Sequence, residues 1–202
     1  MTKVETEKAY FFQRFIAFIV DMIIVSIVAG LLASPFIKTD TVNKLSEETN
    51  SIMEKYMNEE IDTKTYLSQS VDISYEMARV NGIATIVEIL ILILYFIVFQ
   101  FYNNGQTLGK KLMKIKIVKD DGSELTMNNL IIRSLINVFI LLDMIILAFT
   151  IFASKDIYFY AILIFESIQY LVIIVSIFMI LFGVESKGIH DRVAHTRVVK
   201  VN

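Results

Sequence analysis

Residues 15–37 read FIAFIVDMIIVSIVAGLLASPFI, a run of 23 residues that carries one charge, Asp21. A helix of about 20 mainly apolar residues crosses a ~30 Å hydrocarbon core, so this stretch is long enough to span a bilayer. Three later blocks have the same character. They run from about 82 to 102 with Glu88 inside, from about 130 to 153 with Asp143, and from about 157 to 182 with Glu166 and Gln169. The rest of the chain is too small and too polar to cover four such helices as a soluble core. The expected fold is therefore an all-α integral membrane protein built on a four-transmembrane-helix bundle. The first block follows Lys3, Lys8 and Arg14, as the apolar core of a signal peptide would, but it is too long for one and Asp21 interrupts it.

The bulk composition agrees. Of 202 residues, 55% are apolar and 20% charged, and the mean hydropathy is +0.62. The chain has no Cys, which excludes a disulfide scaffold and a Cys-ligated metal site. A net charge of −2 gives no reason to expect nucleic acid as a partner.

Basic residues set the expected orientation. Lys3, Lys8 and Arg14 precede the first block. Lys110, Lys111, Lys114, Lys116, Lys119 and Arg133 lie between or beside the second and third. Lys187, Arg192, Arg197 and Lys200 follow the fourth. Together these are 13 of the 19 basic residues, and by alternation they share one side. That side is expected to be the cytoplasm, with both termini on it. Residues 39–80 carry nine acids against four basic residues and fall on the exterior side.

The exterior segment has helical spacing. Val42, Leu45, Thr49, Ile52 and Tyr56 recur at steps of three and four. A second helix starts near Thr63 and runs through Tyr66, Leu67, Val71, Tyr75 and Ala78, with no Gly or Pro before Gly82, so it is free to continue into the second span. Pro35 ends or kinks the first span. An exterior helical hairpin over about 39–80 is expected, as a structural cap or as a lid for a partner. On the other side, Lys114–Val118 alternates polar and apolar residues and is followed by Asp121–Gly122, a hairpin-turn signal. Thr196–Val201 is a second candidate strand. Short strands are marginal alone, so the two are expected to pair as a small cytoplasmic β-ribbon beneath the bundle.

Asp21, Glu88, Asp143 and Glu166 are the candidate ion-path residues. An Asp at a span centre costs about 2.5–3.5 kcal/mol on insertion scales. No Lys or Arg lies deep in any span, so the four acids are expected to face inward as protonated groups, as linings of a wet cavity or as cation ligands. Interhelical hydrogen bonding is the plainer role. Lys110, Lys111 and Arg133 are expected at lipid headgroups.

Other signals fail. Gly105–Lys111 (GQTLGKK) looks like a phosphate loop, but it is one residue short, lacks Ser or Thr after Lys, and follows a membrane helix. His190 and His195 are the only histidines and are badly spaced for a metal. No nucleophile–base set can be assembled. No catalytic residue, metal or cofactor is expected, and no enzyme.

Several motifs together resemble the RDD family of bacterial membrane proteins, named for one Arg and two Asp positions. Arg14-Phe15-Ile16-Ala17-Phe18-Ile19-Val20-Asp21 is similar to the family's Arg and first Asp. Gly105–Lys111, the Ile115–Gly122 strand and turn, and Arg133 resemble its middle pattern. His190-Asp191-Arg192-Val193-Ala194-His195-Thr196 is similar to its tail, with Asp191 at the second Asp and His195 where Gly is common. The resemblance treats residues 1–202 as one transmembrane domain with the exterior hairpin inserted. It implies a place in the bacterial plasma membrane, transport-related roles and, for some members, sodium/proton antiport. It also makes Arg14, Asp21 and Asp191 the residues to follow. An Arg14–Asp191 ion pair is expected to tie the tail to the first span, with double charge reversal restoring what either single change loses.

Two functions stay open from sequence. One is a small transporter or cation/proton exchanger, with H⁺ or Na⁺ at Asp21; so thin a bundle would then work as a homodimer. The other is a non-transporting membrane scaffold or accessory subunit that binds a partner through the hairpin or the strands. Membrane lipid is a partner in both.

Overall fold

The computed structural model describes residues 7–201, so Lys3 of the N-terminal basic group lies outside the described residues. Helix α1 (Phe11–Ala33) buries Ala17, Asp21, Val25, Ala29 and Ala33. These positions are four apart and form one stripe of mostly small side chains, so neighbouring backbone approaches closely there. Pro35 falls in a 3₁₀ turn, Ser34–Phe36, that closes the helix.

Helices α2 (Thr39–Met57) and α3 (Thr63–Val80) form a hairpin. Asp62 caps α3 by accepting the Thr65 N–H at 2.8 Å. Tyr56 and Tyr66 stack across the hairpin at 4.5 Å. One residue, Asn81, separates α3 from α4 (Gly82–Tyr102), and its N–H and carbonyl still make helical bonds to Met77 and Thr85. The hairpin is held at its base: the Tyr75 hydroxyl donates to the Ala153 carbonyl at 2.8 Å, and Asp72 pairs with Lys155.

The chain continues through α5 (Leu108–Leu112), β1 (Ile115–Lys119), α6 (Met127–Asn137), α7 (Ile140–Phe152), α8 (Lys155–Phe182), α9 (Ile189–Val193) and β2 (Thr196–Lys200). Among the described residues, α1 with its 3₁₀ turn, α4 and α8 are long and apolar enough to cross a membrane. Large apolar side chains stay exposed along all three, as a lipid-facing surface requires. The continuous third span expected at 130–153 is corrected. It is two helices, α6 and α7, bent by 63°. Phe139 sits in the left-handed region at the break, with φ 60°. Alone, the 13 residues of α7 reach about 20 Å, short of a ~30 Å core. The physical cause is the polar face of α6. Asn129, Arg133 and Ser134 are buried there and bond to other elements, which fixes α6 in the capping layer while apolar α7 turns away.

The strands pair antiparallel with Ile117 opposite Val198, and Ile115, Ile117, Val198 and Val199 are buried. Lys8 bridges Val199 on the other edge of β2. Asp121–Gly122 does form a turn, with Gly122 at φ 79° and the Gly122 N–H on the Lys119 carbonyl at 3.2 Å. It does not close a local hairpin, because the partner of β1 comes from the tail. Two apolar cores result. One lies between α1, α4 and the α6–α7 bend around Val25, Ile89, Phe96 and Ile140; the other lies in the capping layer around Ala17, Ile115, Ile117 and Leu130.

Candidate functional site

Asp21 is fully buried on the α1 stripe. Its Oδ1 accepts the Tyr95 hydroxyl at 2.7 Å and the Gly109 N–H at 2.7 Å. Its Oδ2 accepts the Thr107 hydroxyl at 2.5 Å and faces the Lys110 ammonium at 3.8 Å. Thr107 and Gly109 come from the loop that superficially resembles a phosphate cradle. Here the cradled anion is a carboxylate of the chain itself. Thr107 is the N-cap of α5, accepting the Lys110 N–H at 3.3 Å while donating to Asp21. Gly109 is required by proximity: a β-carbon there would land on the Ala17 carbonyl oxygen and 2.8 Å from Asp21 Oδ1. Tyr95 belongs to a π-helical segment of α4, Leu94–Phe99, which sets its hydroxyl on Asp21.

Asp191, also fully buried, is the second centre. Its Oδ2 accepts from Arg14 Nη1 at 2.9 Å and from the Gly188 N–H at 3.0 Å. Its Oδ1 accepts from Arg133 Nη1, which also donates to Thr196 Oγ1 at 3.1 Å. One carboxylate therefore joins α1, α6 and α9. Burial alone would raise the Asp191 carboxyl; the Arg133 guanidinium, with Arg14, holds it well below the usual carboxylate range. Burial, reinforced by Arg133, pushes the His190 imidazole down to about 3, so it is neutral at pH 7. Burial also pushes the Lys110 ammonium down to about 8, against the opposing pull of Asp21.

The expected residues thus divide. Arg14 does pair with Asp191, but Arg133 shares the carboxylate. Lys110 and Arg133 turn inward, onto Asp21 and Asp191, and of the three only Lys111 is exposed. No Lys or Arg lies within the spans beside Asp21, but Lys110 reaches it from the segment after α4. The inward orientation of all four acids is corrected. Glu88 and Glu166 are exposed on their helices and Asp143 is half-buried. Asp143 lies in the first turn of α7, where the helix N-terminus favours an acid. Glu88 and Asp143, on the packed helices α4 and α7, are close enough for their charges to interact.

Sequence reasoning missed Tyr95, and it reached Thr107 and Gly109 only as members of the Gly105–Lys111 motif, with no role assigned to either. Tyr95 carried a signal, since a phenol within an apolar span needs a partner for its hydroxyl.

Fold and site together define a polytopic helical membrane protein whose capping layer is bolted to its spans by two buried carboxylates. The RDD family matches residues 8–195, and the chain belongs to that family. No curated protein and no solved structure matches it.

Proposed function

We infer that the chain is a non-transporting membrane scaffold or accessory subunit, in which the motif charges hold the cap to the spans. The bent α6–α7 pair counts as the third of four crossings. The capped end, where the described residues begin and finish, faces the cytoplasm of a bacterial plasma membrane, with both termini on that side, since 12 of the 18 described basic residues gather there. A partner meets the exterior hairpin or the strands. In the hairpin, α2 packs chiefly on α3 and exposes Met53 and Met57.

One observation carries this reading. Asp21 has no exposure, and three hydrogen bonds and an ammonium already occupy its oxygens. A cation ligand needs free oxygens and a path to water, and Asp21 has neither. In proteoliposomes with imposed pH gradients, the wild type is expected to show no Na⁺-, Li⁺- or K⁺-dependent flux. Asp21→Asn is expected to lose thermal stability.

A second reading keeps cation/proton exchange but moves it to the far half of the bundle. Glu88 and Asp143 are neighbouring acids without a basic partner among the described residues, with Glu166 as a further candidate. Flux that Glu88→Gln abolishes in a folded protein selects this reading, with a homodimer as its working unit.

A further inference from the structure

We propose that the cavity between α1 and α8 holds one anionic phospholipid, with its phosphate against Arg14 and Lys110 and one acyl chain along the apolar wall. The proposal stands on the cavity alone, and holds whichever function the chain has. The cavity measures about 230 Å³. Its polar end is Arg14, Lys110, Arg133 and His190, and its walls include Phe15, Phe18, Val172 and Ile173. Helix α1 packs on α4 and α5, while α8 packs on α7, α9 and α3, so the two helices flank the cavity without closing it.

Charge identifies the occupant. Three cations, Arg14, Lys110 and Arg133, face two carboxylates, Asp21 and Asp191, and His190 is neutral. One positive charge is left over in a buried setting, where an uncompensated ion is expensive. The Arg14 side chain is 10% exposed, and its Nε has no hydrogen-bond partner. A phosphodiester brings one negative charge and acceptor oxygens for that N–H and for the ammonium.

Depth identifies the rest of the ligand. Arg14 lies in the first turn of α1, and Ile180 lies in the last turn of α8, so the polar end sits at headgroup level. The wall descends from there, through Phe18 on α1 and back to Val172 on α8, about 12 Å along the helix. A small anion would fill the polar end and leave this apolar wall uncovered. A lipid fills both.

Native mass spectrometry of the full chain in detergent tests this, with phosphatidylglycerol, phosphatidylcholine and inorganic phosphate as probes. One phosphatidylglycerol per chain is expected, held at least about tenfold more tightly than phosphatidylcholine, as loss of a charge-assisted contact implies. Arg14→Lys keeps a cation for Asp191 but removes the Nε donor, and is expected to weaken retention by about fivefold or more. Val172→Trp fills the wall without touching a charge and is expected to abolish retention. Lys111→Gln, exposed on the same segment, is expected to leave it unchanged. Thermal melts establish that each variant is folded; should one fail to fold, the other decides. Equal retention of both lipids overturns the proposal, as does full retention by folded Val172→Trp. Inorganic phosphate binding as tightly as the lipid also overturns it, in favour of a free-anion site.

Discussion

The two ends of this molecule treat buried acid in opposite ways. At the capped end, Asp21 and Asp191 have no exposure, and every oxygen has a donor. Toward the far end, Glu88 and Glu166 are exposed on apolar helices, and Asp143 is half-buried near Glu88 with no basic neighbour among the described residues. All four span-embedded acids look alike to hydropathy. They differ in what the intervening polar segments bring to them. The loop after α4 delivers Thr107, Gly109 and Lys110 to Asp21, and the tail delivers Asp191 to two arginines. Among the described residues, no comparable segment reaches Glu88 or Glu166. A membrane-embedded carboxylate is therefore structural or available according to its loops, not its depth.

The sharpest way to break this contrast is to remove a charge from each end. Asp191→Asn leaves Arg14 and Arg133 buried against a neutral side chain. Breaking a buried pair costs about 3–5 kcal/mol, so the variant is expected to lose most of its thermal stability in detergent. Glu166→Gln is expected to stay within about 0.5 kcal/mol of wild type in the same melts. Equal losses would end the distinction. The double reversal Arg14→Asp with Asp191→Arg is expected not to rescue, because the new guanidinium at position 191 would face Arg133. Rescue would show that Arg133 is a bystander.

What is legible in the sequence follows the same division. The first, second and fourth apolar runs, the Val42–Tyr56 spacing and the Lys114–Val118 alternation are local patterns, and each corresponds to an element. The Arg14–Asp191 pair is visible only through motif resemblance, since 177 residues separate the partners. The bend at Phe139 is illegible: no Gly or Pro marks it, and its cause is the attachment of Asn129 and Arg133 to the tail. Lys110 misleads for a related reason. A lysine beside an apolar block gives no sign that it also faces an acid inside a span, which happens here because the fold turns its segment back over α1.

A milder test compares two glycines. At the capped end, Gly109→Ala places a methyl on the Ala17 carbonyl and beside Asp21, where backbone and a fully bonded carboxylate leave little room to yield. Overpacking of this kind costs about 1–3 kcal/mol. At the far end, Gly82 opens α4, and a β-carbon added there would meet nothing within 4 Å. Gly82→Ala is expected to be neutral or to stabilise by up to about 1 kcal/mol, by restricting the unfolded chain. Thermal melts of the two variants side by side check the sign as well as the size.

A smaller effect than that of a broken ion pair is one of pH, and it belongs to the capped end alone. The His190 imidazole is pushed down to about 3 in the folded protein, by burial and then by Arg133, from an ordinary value near 6.5. The unfolded chain then binds a proton below pH 6.5 that the folded chain refuses, so stability must fall as the solution is acidified through that range. Between pH 7 and 5.5 the loss from this one group is about 1 kcal/mol. Asp191, held low by its arginines, adds its own loss only below about pH 4, where the unfolded carboxylate takes a proton. His190→Gln is therefore expected to flatten the melting temperature between pH 7 and 5.5 while leaving the steeper fall below pH 4 in place. An unchanged slope in that variant would mean that His190 takes up its proton as readily in the folded protein as in the unfolded chain, and so is charged where it sits once the pH falls below about 6.5. The buried cluster would then hold two surplus positive charges, and its demand for an anion would be greater still.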